Sequence, residues 1–217
     1  RYPHEAATVT PSKQTATQLK GRDKDDEVRE NAESEPKQRV WRRFGEKSAR
    51  RGMDYGVAMH TLMQYVRFEA CASLEELEGE IDRLTAARVI PAELAPKLDR
   101  NAILAFFRTE LGRKLMTGKY IREFKFSILE DADAYGEGLG GEQILLQGVV
   151  DCALVEEDGI TVVDFKTDYV TDATLSEVLA RYRPQVDTYS RALERIYETP
   201  VKGTYLYFFH LKKLIAV

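Results

Sequence analysis

The chain has 217 residues, of which 43% are hydrophobic and 31% charged, and a net charge of −4. That is enough for one substantial domain or a domain with an arm, and no apolar run approaches the roughly 20 residues that span a bilayer, so no membrane partner is expected. An acidic total argues against a strongly basic nucleic-acid binder, although Lys37–Arg51 carries seven basic residues against the single acid Glu46.

No basic–apolar–small signal peptide opens the chain, and a cytoplasmic location is expected. The first residue is Arg1 rather than Met, as in an excised piece of something longer. Cys71 and Cys152 form no C-x-x-C pair, so neither a zinc ribbon nor an iron–sulfur cluster is expected.

Residues 1–52 are rich in Thr, Ser, Lys, Glu and Asp, and read as a flexible arm with one short helix near Ser12–Lys20. Residues 53–217 read as the globular part. Val57, Met59, Leu62, Met63 and Val66 recur at helical spacing over Tyr55–Phe68. A second helix is predicted over Leu74–Ala87, with Ser73 as N-cap and Glu76 at the capping-box position. Helices from Pro96 to Thr109 and on to Met116 follow.

The period then changes to two. Strands are predicted over Tyr120–Leu129, Gln143–Val155 and Ile160–Lys166, with a glycine-rich loop at Gly136–Gly141. A short helix at Leu175–Ala180 and a longer one at Arg183–Tyr197, opened by Pro184, precede a strand at Thr204–Leu211 and one more at the C-terminus. The order implies an α/β fold, a central mixed sheet flanked by helices, with an added helical N-terminal region.

Two strands place an acid inside an apolar run: Val149-Val150-Asp151-Cys152-Ala153 and Val162-Val163-Asp164-Phe165-Lys166. Buried carboxylates are costly unless paired or bound to metal. If Asp158-Gly159 is a two-residue loop, Asp151 lies opposite Lys166. If Glu156–Gly159 is the loop, Asp151 lies opposite Asp164. In either register Asp151, Asp164 and Lys166 share a face, and opposed Cβ atoms are about 5 Å apart. Two such carboxylates can grip one divalent ion, and carboxylate oxygens with water suit Mg²⁺ or Mn²⁺. Lys166 can orient the attacking water or neutralise charge in a phosphodiester transition state. His60, on the first globular helix, can add an imidazole nitrogen. Gln185 and Tyr189, four apart on one helix face, can reach a phosphate or base.

These residues occur in a telling order: Gly56-x-x-x-His60, Gly148-Val149-Val150-Asp151, Asp164-Phe165-Lys166-Thr167-Asp168, then Gln185-x-x-x-Tyr189. The set resembles the RecB-type nuclease branch of the PD-(D/E)XK superfamily, with its restriction-endonuclease-like core. Arg183-Pro184-Gln185, Arg191-Ala192-Leu193-Glu194, Pro200-Val201-Lys202 and Tyr205-Leu206-Tyr207-Phe208 are similar to the C-terminal nuclease domains of AddA-type helicase–nucleases. The resemblance implies His60, Asp151, Asp164 and the backbone carbonyl of Phe165 as metal ligands, and Lys166 as the catalytic lysine. It implies Glu123 as a further active-site acid, with Lys125 standing where that segment often has Pro. Gln185 and Tyr189 are implied to contact DNA. Cleavage of unwound, single-stranded DNA is implied, in a heterodimer with an AddB-like second subunit. The chain has no G-x4-G-K-[ST] loop, so ATP would be used only by a helicase part outside this sequence.

A nuclease-like scaffold that only binds DNA or docks subunits is the competing reading. A sequence-specific endonuclease is a third, with Asp131–Gly141 as the place for a base-reading loop.

Overall fold

The computed structural model describes residues 13–16, 47–132 and 142–217, with backbone alone for 47–54. Most of the expected arm, the side chains of the basic run and the glycine-rich loop therefore lie outside the described residues. Six strands form one mixed sheet: β1 (Lys13–Thr15), β2 (Lys119–Asp131), β3 (Gln143–Glu156), β4 (Gly159–Lys166), β5 (Val201–Phe208) and β6 (Lys213–Ala216). The five helices described are α1 (Lys47–Tyr65), α2 (Leu74–Ala86), α3 (Arg100–Phe107), α4 (Glu110–Thr117) and α5 (Leu175–Tyr197).

Helix α1 starts eight residues before the apolar period does. Its first turns are Lys, Ser, Ala and Arg, among them strong helix formers with no apolar stripe to betray them. Helix α2 carries the expected capping box, Ser73 Oγ accepting from Glu76 N and the Glu76 carboxylate from Ser73 N. The two helices expected around Pro184 are one, with Pro184 inside α5. Proline deletes one backbone bond there, and burial of Tyr182, Val186 and Tyr189 along one face keeps the helix continuous.

Segment Lys13–Thr15 is a strand and not part of a helix, pairing in parallel with Leu145–Gln147. Nothing local in Lys-Gln-Thr favours a strand. The exposed edge of β3 recruits it, and Ala16 is fully buried behind it.

Strand β3 is the hub. Along one edge it pairs antiparallel with β2 from Lys119 to Asp131, skipping Glu123. Its other edge is divided, taken by β1 over Leu145–Gln147 and by β4 over Cys152–Glu156. Strand β4 continues past that ladder, parallel to β5 as far as Lys166–Phe208. The β3–β4 turn sets the register: Glu156 pairs with Gly159 and Val155 with Ile160, so Cys152 meets Val163 and the next step brings Asp151 toward Asp164. Ladder pairing ends there, and the two strands part.

Two cores flank the sheet. Helices α1–α4 pack on Cys152, Leu154, Val163, Phe165 and Tyr207. Helix α5 packs on Leu146, Val150, Ala153, Val162, Leu206 and Phe208. Regular alternation cannot put both Val150 and Ala153 on the α5 side. The face reverses at Asp151, and β2 reverses beside it, where Tyr120 faces one core and Ile121, Phe124 and Phe126 the other. Glu123 lies at that reversal with φ +49°.

Candidate active site

The acids predicted from sequence meet at the fork of β3 and β4. Asp151 Oδ2 accepts from the Phe165 backbone N–H at 2.9 Å. The carboxylate thus satisfies a backbone donor beyond the end of the β3–β4 ladder. His60 Nδ1, from α1, is 3.6 Å from the same oxygen. Gly56, one turn earlier, lets α1 approach β4: a Cβ there would come within 3.0 Å of Thr167 Oγ1.

Asp164 is 1% exposed, and Lys166 is buried beside it. Lys166 Nζ lies 2.5 Å from Asp164 Oδ2, yet that oxygen has no partner with hydrogen-bond geometry. The ammonium also donates to Gln185 Oε1 at 3.3 Å and sits 4.2 Å from the centroid of the Tyr182 ring. Gln185 Nε2 donates onward to Tyr189 Oη at 2.7 Å. Tyr182 Oη donates to Asp168 Oδ2 at 2.7 Å, and Arg181 stands 3.6 Å from the other Asp168 oxygen. Helix α5 therefore grips the segment Asp164–Asp168 through Tyr182 and Gln185, with Tyr189 bracing Gln185 from the same helix face.

Electrostatics match the crowding. Burial holds the Asp151 carboxyl well above its ordinary range, and the nearby Asp164 charge adds to it, while Lys166 and the Phe165 N–H pull the other way. Glu123 is raised by burial, against Lys125, and by Asp164. The Tyr189 hydroxyl is pushed up by burial and then by Asp164 and Asp151. Three acids thus share a poorly solvated space with the Lys166 ammonium. Glu123 is also held at positive φ, an uncommon backbone for a non-glycine residue that clusters at functional sites.

The structure brings together His60, Asp151, Asp164, Lys166 and the Phe165 backbone, with Glu123 electrostatically coupled to the acids. Gln185 and Tyr189, the residues expected to contact DNA, lie on the face of α5 turned toward Lys166. Both are buried, 5% and 3% exposed, and they bond each other and Lys166. Tyr182 was not singled out in the sequence, although its position three residues before Gln185 was the available signal. Cys71 and Cys152 are buried free thiols, Cys71 pushed up to about 12 by burial.

The donor set is one of carboxylates, an imidazole and a backbone carbonyl, which suits a hard divalent cation. Among the described residues no three His, Cys, Asp or Glu side chains already converge on one point. What fits a cation is this donor chemistry together with the buried Asp164 carboxylate, whose Oδ2 faces the Lys166 ammonium at 2.5 Å.

Comparison with known proteins agrees with this arrangement. The model of the PD-(D/E)XK nuclease superfamily matches residues 16–215. The A-subunit of the ATP-dependent helicase/nuclease of Bacillus cereus (strain ZK / E33L) is 32% identical over 231 residues, covering 100% of this chain and 19% of the relative. The corresponding proteins of Bacillus mycoides (strain KBAB4) and Thermoanaerobacter sp. (strain X514) are 33% and 32% identical over 96% of this chain, covering 18% of each relative. The chain thus spans about a fifth of the length of these curated relatives. No helix among the described residues is long and apolar enough to cross a membrane. With the fork of β3 and β4, its buried acids and the match over nearly all of its length, the chain belongs to the PD-(D/E)XK nuclease superfamily.

Proposed function

We propose that this chain is a metal-dependent nuclease domain that hydrolyses phosphodiester bonds of unwound, single-stranded DNA. It does so within an ATP-dependent helicase–nuclease that processes double-strand breaks for recombination in the bacterial cytoplasm, paired with a second subunit. The observation that carries the reading is the buried Asp164–Lys166 ion pair at the parting of two strands, with the partly buried Asp151 carboxylate beside it. A scaffold without chemistry has no use for so costly a cluster.

His60, Asp151, Asp164 and the Phe165 carbonyl are the residues that would hold Mg²⁺ or Mn²⁺. When bound, the cation supplies Lewis acidity toward the phosphodiester and the attacking water. Lys166 supplies a positive hydrogen-bond donor for charge that develops on the phosphate. Gln185 and the Tyr182 ring fix where that ammonium points. Glu123 adds a carboxyl that burial, and then the Asp164 charge, makes easier to protonate than an ordinary glutamate.

The test is cleavage of linear single-stranded DNA with Mg²⁺ or Mn²⁺ by the intact chain and by Asp164→Ala. Metal-dependent cutting that the substitution abolishes establishes the site. No cutting and no metal binding by the intact chain returns it to the scaffold reading.

A further inference from the structure

Tyr169 is the most exposed of the large apolar side chains described, 77% open to solvent. It does not stand alone. Its ring lies over that of His210, with centroids 4.1 Å apart and planes at 42°, and His210 is exposed as well. Each has a fully buried residue next to it in the chain, Val170 after Tyr169 and Phe209 before His210. The Phe209 N–H donates to the Lys166 carbonyl at 3.0 Å, tying the β5–β6 turn to the end of β4. Beside that tie, two exposed aromatic rings face solvent. The pair is a small exposed aromatic surface just beyond the end of β4, with ring faces open to a flat ligand.

We infer that Tyr169 and His210 form a stacking platform for a nucleobase of the single strand whose backbone is cut at the neighbouring acids. The inference rests on the nuclease reading and names where the substrate lies. Tyr169 is three residues beyond Lys166 on one continuous chain, so its backbone lies at most about 11 Å from that of the lysine. That distance is within reach of a nucleotide adjoining the phosphate at Lys166. The chain's net charge of −4 gives little general attraction for phosphates. Among the described residues near the pair, Lys213 is paired with Asp172 at 3.0 Å and Arg181 stands 3.6 Å from Asp168, while Lys212 is exposed. Stacking supplies affinity without net charge and tolerates any base, as a processive nuclease requires.

The experiment uses the full chain in a chelating buffer, so that binding is read without cutting. A single-stranded oligonucleotide carries 2-aminopurine at successive positions, whose fluorescence falls on stacking. Quenching at one or two adjacent positions, lost in Tyr169→Ala and kept in Tyr169→Trp, is the expected result. Affinity should fall about 5- to 100-fold in Tyr169→Ala. That factor should be the same at low and high salt, whereas a phosphate contact would fade with salt. His210→Ala should give a smaller loss in the same direction. An intact chain that quenches at no position overturns the platform, as does a Tyr169→Ala chain that binds and quenches like the original. Metal-dependent cutting lost in Asp164→Ala, measured alongside, shows whether the nuclease reading stands when the platform falls.

Discussion

The Asp151 carboxylate accepts the Phe165 backbone N–H at 2.9 Å, one step beyond the last pair of the β3–β4 ladder, Cys152 with Val163. A side chain substitutes for a neighbouring strand, and the fork it props open is where the acids gather. Burial and the Asp164 charge keep this carboxyl well above its ordinary range. Replacing it with a neutral isostere removes the repulsion but keeps an acceptor for Phe165. Asp151→Asn should therefore fold at least as stably as the parent without metal, and lose divalent-ion binding. Chemical denaturation with and without Mn²⁺ reads both. A variant that Mn²⁺ still stabilises like the parent would remove Asp151 from the ligand set.

Gln185 tests what the α5 face does. Its amide is buried between Lys166 and Tyr189. Gln185→Leu should lower kcat roughly 10- to 100-fold by releasing the ammonium, less than the roughly 100- to 1,000-fold cost of losing a preorganised donor outright. Affinity for a single-stranded oligonucleotide in chelator should change little. The reverse pattern, with affinity lost and kcat kept, would assign Gln185 to direct DNA contact instead.

Legibility followed period and pairing. Strands β2–β4, the capping box of α2 and the face shared by Asp164 and Lys166 were readable because alternation and turn chemistry are local. The pairing of Val155 with Ile160 selected one of two open registers, the one that aims Asp151 at Asp164. What escaped depended on distant partners. Lys13–Thr15 is a strand only because β3 leaves an edge free there. Pro184 read as a helix start, since packing that overrides a lost backbone bond has no local mark. Gln185 and Tyr189 fell on the right helix face, but polar side chains do not announce whether they meet DNA or a buried lysine. The left-handed backbone of Glu123 was invisible, because nothing in Arg-Glu-Phe requires positive φ.

Gly148 precedes the Val149-Val150-Asp151 run for a steric reason. A Cβ there would lie 2.5 Å from Phe126 Cζ and 3.1 Å from Ala16 Cβ. Gly148→Ala should destabilise the fold by about 1–3 kcal/mol, the usual cost of overpacking. Urea unfolding followed by far-ultraviolet dichroism checks it. Phe126→Leu in the same chain should recover part of the loss, since it removes the ring in the way. No recovery would place the strain at Ala16 and β1 instead.

Far from the site, Glu80 gives a pH signature of its own. Its buried carboxylate accepts from Arg83, from the Arg67 guanidinium and from the Arg67 backbone N–H, tying α2 to the segment that follows α1. The Arg83 bond first, then the Arg67 bonds, outweigh burial and hold it at about 2, below the ordinary 4.5. A depressed carboxyl stabilises the fold above its unfolded value, and that stability drains as pH falls through the folded one. The window is thus from 4.5 down to about 2. Both arginines are partly exposed, so the contribution is discounted to about 2 kcal/mol. Glu80→Gln should be less stable at neutral pH by that order, with the gap from the parent closing between pH 4.5 and 2. Unfolding free energies across that range, for parent and variant, decide it. A constant gap would mean the carboxylate acts by shape and hydrogen bonding rather than by charge.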